Sequence, residues 1–133
     1  MTDDSFFLTC DRLSQSVDAT QYERLRWAKT EGPMLARLVE LAHGAIADRP
    51  EFELTEEGAT GDIRRFVLKI HGHRVIGLVI WLDQDHRACL TVENIARGRY
   101  QVTAGDPVSA DYALVDEAWM AATLQVLFAR IQL

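Results

Sequence analysis

Apolar residues recur three or four positions apart in the first part of the chain, alternate with polar ones in the middle, and crowd every side of a stretch near the end. These three patterns predict helices, strands and a buried helix in that order. Thr20-Gln-Tyr-Glu23 has the spacing of a capping box and opens a predicted helix over about 21–30, with Tyr22, Leu25, Trp27 and Ala28 on its apolar side. Glu31-Gly-Pro33 interrupts it, and Pro33 suits the first turn of a second helix, where its missing N–H costs nothing. Leu35, Leu38, Val39, Ala42 and Ile46 form the stripe of that helix, which Arg49-Pro50 ends. Ahead of both, Phe6-Phe-Leu-Thr9 reads as a short strand or a packed tail.

Five strands follow, over 51–55, 63–71, 74–83, 87–94 and 99–104, with connections short enough for antiparallel hairpins. A turn centred on Gly72-His73 sets Phe66 opposite Val79 and Val67 opposite Leu78. A turn with Asp83 opposite His86 sets Val79 opposite Leu90 and Ile80 opposite Cys89. Together they predict a core face of Phe66, Leu68, Ile70, Val75, Val79, Trp81, Ala88, Leu90 and Val92. The opposite face then carries Val67, Ile76, Leu78, Ile80 and Cys89 at its centre. Side chains of that size left in water forfeit roughly 1.5–3 kcal/mol each, so a helix, a second copy of the chain or a partner protein is expected to cover them. The final helix is expected to begin near Ser109 or Asp111, with Leu114, Val115, Ala118, Trp119, Ala122, Val126 and Phe128 around its circumference.

The predicted fold is therefore a single α+β domain over 1–133: two N-terminal helices, a five-stranded antiparallel meander, and a long C-terminal helix packed on the sheet. Composition agrees, since 133 residues with 48% hydrophobic and 26% charged side chains describe an ordinary globular chain and exclude intrinsic disorder. No run reaches the ~18–20 apolar residues of a membrane span and no secretory signal opens the chain, so a cytoplasmic location is expected. Two cysteines, Cys10 and Cys89, are too few for a disulfide scaffold. The net charge of −6 makes the protein acidic, but unevenly so. Residues 51–62 carry five acids and no base, whereas 63–105 carry seven bases and three acids.

Candidate chemistry is sparse. His71-Gly-His73 has the look of a metal pair, but it lies in a tight turn. His86 lies at the far end of a strand of about nine residues, roughly 30 Å away, where it cannot complete the site. Asp83-Gln-Asp-His86 lacks the glycine and distant glutamate of a calcium loop and reads as a polar turn. Cys89 has Arg87 beside it, which favours a thiolate, but has no base on its face. There is no phosphate-binding loop, no dinucleotide fingerprint and no nucleophile elbow. No catalytic residue, metal or cofactor is therefore expected. The arginines at 64, 65, 74, 87, 97 and 99, with Lys69 and Tyr100, invite a nucleic-acid reading. It is disfavoured because the exposed face lacks the aromatics on which bases stack. These rows suit the acidic 51–62 segment or an acidic partner equally well.

The expectation is a non-enzymatic protein–protein interaction module of adaptor, chaperone, inhibitor or immunity type, acting as a homodimer or on a protein partner through Val67, Ile76, Leu78, Ile80 and Cys89. The alternative is a small-ligand pocket protein or small enzyme with its site between sheet and helices. Tyr22, Trp27, Tyr100 and Trp119 are its candidate polar groups.

Overall fold

Thr2 to Val17 form the first helix, α1, in the computed structural model, which describes residues 2–58 and 60–133. The chain divides into two units, Met1–Pro33 and Met34–Leu133. In the first, α1 replaces the expected strand at 6–9. Phe6, Cys10, Leu13 and Val17 are spaced by four, three and four residues, which is a helical repeat and not a strand alternation. Asp18 then takes an extended conformation and starts α2 (Ala19–Lys29), its carboxylate accepting from the Gln21 N–H at 3.1 Å. Asp18 thus does the capping expected of Thr20, and Glu23 instead accepts from Arg26 at 3.0 Å. The helical bonding nevertheless runs through, because Asp18 N–H donates to Ser14 and Asp18 carbonyl accepts from Tyr22.

α3 (Glu31–Ala45) has Pro33 in its first turn and, within the second unit, buries Leu35, Leu38, Val39 and Ala42, which is the expected stripe. The sheet is antiparallel and five-stranded: β1 (Phe52–Glu56), β2 (Ile63–Ile70), β3 (His73–Leu82), β4 (Arg87–Glu93) and, after an excursion, β6 (Val108–Asp111). The fifth strand is therefore not 99–104. Only β5 (Gln101–Val102) forms there, pairing with β7 (Ile131–Gln132) in a separate ladder. Val108 and Ala110 pair with Leu90 and Ala88, so their alternation belongs to the main sheet. This delays the last helix, α4 (Glu117–Phe128), which begins where the Asp116 carboxylate accepts from Trp119 N–H at 2.8 Å.

Registers differ from expectation by one residue on both sides of β3, and by two beside the first turn, where Ile70 faces His73 and not Val75. The first turn is His71-Gly72, with φ of 52° and 77°, and it closes on Ile70 opposite His73. Positive φ at both positions is the hairpin geometry that glycine takes without strain. A bulge at Leu68/Lys69 leaves Val75 unpaired, after which Leu68 faces Ile76 and Phe66 faces Leu78. The second turn is a three-residue loop: Asp83 N–H donates to Arg87 carbonyl, and His86 sits at φ 58°. Leu78 consequently faces Val92 and Ile80 faces Leu90.

The five residues grouped on one face by the sequence are thereby separated. Ile76, Leu78 and Ile80 join Leu54, Phe66, Leu68, Leu90 and Val92 on the core face and are fully buried within the chain. α3 lies against this face through His43, whose ring stands edge-on to Phe66 at 5.7 Å. Phe128 of α4 has its ring 6.4 Å from Phe52 of β1. Val67 and Cys89 lie on the other face with Val79 and Trp81. There Arg65 and Glu93 join across β3 at 2.8 Å. Gly77 leaves room for this link, because a Cβ on it would come within 3.0 Å of Glu93 Cγ.

Candidate functional site

Two surfaces stand out, one in each unit. In the first unit no described residue from 4 to 33 is buried. Phe6 is 64% exposed, Leu13 62% and Val17 85%, and Cys10 is exposed between them. At 100° per residue these four occupy one narrow stripe about 16 Å long. Between Phe6 and Val17, Asp11 and Arg12 lie away from it and the positions that flank it (Phe7, Thr9, Ser14 and Ser16) carry no charge. A stripe of two positions in seven is the width of a helix–helix seam, narrower than the face a helix turns to a sheet. Sequence reading missed it by treating Phe6–Thr9 as isolated. The 4-3-4 spacing through Val17 was the signal.

In the second unit a cavity of about 800 Å³ opens at the tip of the β2–β3 hairpin. Its apolar lining includes Phe52, Leu68, Val75 and Phe128, which β1, β2, β3 and α4 supply. His71, His73 and Arg74 of the hairpin also line it, as do Arg97, Arg99 and Tyr100 of the segment after β4. No acidic side chain lines it. The 97–100 wall is fixed at both ends. Gly98 N–H donates to Ile95 carbonyl, with Arg97 in the left-handed region, and the Asn94 carboxamide accepts from Val102 N–H at 2.9 Å. Pairing of β5 with β7 ties the same segment to the chain beyond α4.

Of the aromatic candidates for a pocket, Tyr100 lines this cavity. Trp119 does not, and Tyr22 and Trp27 belong to the other unit.

The basic rows are largely answered from within the chain. Arg64 donates to both carboxylate oxygens of Glu56 through Nε and Nη2, Arg74 meets Glu57 at 2.6 Å, and Arg87 meets Asp111 at 2.8 Å. The acidic 51–62 segment is thus a partner of the basic strands. These guanidinium groups hold the Glu56 and Glu57 carboxyls below the usual glutamate range, chiefly through their hydrogen bonds. Among the described residues, Arg97 and Arg99 have no hydrogen-bond or ion-pair partner.

The remaining candidates resolve individually. Asp83 is a turn organiser, its carboxylate accepting from the backbone of Asp85 and Arg87, both at 2.9 Å. Burial pushes the Cys89 thiol up, Asp83 adds to this, and Arg87 opposes both without prevailing. Among the described residues no three His, Cys, Asp or Glu side chains converge as a metal site, and no helix is long and apolar enough to cross a membrane. Comparison with family models, with curated proteins and with solved structures gave no match.

Proposed function

We propose that this protein is a non-enzymatic interaction module that self-associates through α1, its partner being a second copy of the chain. What carries this is the stripe of Phe6, Cys10, Leu13 and Val17, unburied in a helical unit with no buried residue among those described from 4 to 33. Helices this short are marginal in water without packing, so the unit gains a core only by meeting another apolar stripe. A second copy fits because the positions flanking the stripe between Phe6 and Val17 are uncharged: along that stretch two α1 helices approach without like-charge repulsion, and Asp11 and Arg12 stay in water. The interface thus moves from the sheet to the helix, since Ile76, Leu78 and Ile80 are interior.

Two such stripes offer a gross gain on the order of 10 kcal/mol, from which the cost of association, about 4–15 kcal/mol, is subtracted. The dimer is therefore weak, and it is sought at about 100 µM by sedimentation equilibrium. Wild type is expected to be dimeric there and Leu13→Asp monomeric, with the cooperative unfolding transition of residues 34–133 unchanged. Gln15→Asp, on the opposite side of the helix, should remain dimeric. A monomeric wild type, or a Leu13→Asp variant as dimeric as wild type, overturns the proposal.

A further inference from the structure

We propose that the cavity at the β2–β3 hairpin tip binds a small amphiphilic anion: a carboxylate carried on an apolar acyl body. The two halves of that ligand correspond to two halves of the site. Arg97 and Arg99 are the cations at its wall that no carboxylate of the described chain neutralises, whereas the charge of Arg74 is already engaged by Glu57. Arg74, Arg97 and Arg99 line the cavity with no acidic side chain and outnumber the α-carboxylate of Leu133, so the local field favours an anion over a cation. Arginine suits a carboxylate because its planar fork donates two parallel hydrogen bonds.

Phe52, Leu68, Val75 and Phe128 supply the other half, an apolar wall with no side-chain hydrogen-bonding group. Such a wall offers nothing to a bare inorganic ion, which gains nothing from apolar contact. A volume of about 800 Å³ is in the range of pockets that take whole organic ligands and far exceeds what a lone anion fills. The site is also held open by the fold. The hairpin turn fixes His71 and Gly72, and the Asn94–Val102 hydrogen bond and the β5–β7 ladder hold the arginine wall. Little ordering is then left for the ligand to impose.

Calorimetric titration with decanoate, below its micelle concentration, tests this directly. Decylammonium supplies the same body with the opposite charge, and inorganic phosphate supplies charge without the body. Decanoate is expected to bind at least tenfold more tightly than either. The Arg97→Gln/Arg99→Gln double variant is expected to lose at least tenfold in decanoate affinity. Both side chains are exposed, so the variant should keep the wild-type thermal unfolding curve. Leu13→Asp should bind decanoate as wild type does, because every lining residue lies between 52 and 133. The proposal fails if decanoate does not bind, if decylammonium or phosphate binds as well as decanoate, or if the double variant keeps its affinity.

Discussion

Cys89 illustrates how a single side chain is governed by more than its neighbour in sequence. Arg87, two residues away along β4, would stabilise a thiolate on its own. Burial of the sulfur and the negative charge of Asp83 outweigh it and push the thiol up, so the nucleophilic form is scarce at neutral pH. Cys10 is exposed on α1. Iodoacetamide at pH 8 and low protein concentration should therefore label Cys10 at least a hundredfold faster than Cys89, read by peptide mass spectrometry. Comparable rates would mean that the sheet face around Cys89 is open. The position of Cys89 on the same face as Val67 was legible from the alternation of β2 and β4. Its protonation was not, because the approach of Asp83 depends on a loop whose length the sequence left ambiguous.

At the level of strands, the lesson concerns β3. Its neighbours read correctly: Phe66, Leu68 and Ile70 on β2, and Ala88, Leu90 and Val92 on β4, share the face expected of them. β3 alone was inverted. Val75 to Ile80 are all buried, so apolar content is the same on both faces and carries no phase information. The register is set instead by backbone conformation at the ends: a His-Gly turn with a compensating bulge, and a three-residue loop bracketed by the Asp83 carboxylate. The fifth strand was misplaced for a related reason, since Val108-Ser-Ala-Asp111 offers only two small inward residues against the longer run at 99–104. The charge pattern was more legible, and the acidic segment does answer the basic strands. The hydrogen bond from Arg64 lowers the Glu56 carboxyl in the folded protein, and a lowered acid contributes stability that is present above its ordinary value near 4.5. That contribution disappears as pH falls through the folded-state value. Arg64→Gln should therefore be less stable than wild type at pH 7, by no more than about 1 kcal/mol for a surface pair, with the gap narrowing at pH 3. Loss of the Arg64 contact with the Phe66 ring, 5.8 Å from centroid to guanidinium, does not depend on the charge of Glu56 and persists at both pH values. Urea unfolding at the two pH values separates these parts, and an unchanging gap would show that the Glu56 pair adds nothing.

For the molecule as a whole, the two units divide the properties a single domain usually combines. Among the described residues, those from 34 to 133 carry the sheet and every fully buried apolar side chain, while those from 4 to 33 carry most of the large exposed ones. A chain so arranged concentrates its unmet burial in one helix, and the position of Cys10 within that stripe makes the consequence measurable. If two α1 helices meet, Cys10 lies in the seam and its sulfur is shielded only in the associated state. Its alkylation rate should then fall at least fivefold as protein concentration rises from about 1 µM to about 200 µM, while the slow labelling of Cys89 stays constant. In Leu13→Asp the Cys10 rate should be fast at every concentration. The comparison is internal to one chain, so reagent depletion or crowding, which would slow both thiols together, is distinguished from a shared seam. A Cys10 rate independent of concentration in wild type would leave the apolar stripe in water at all concentrations and remove self-association as its purpose.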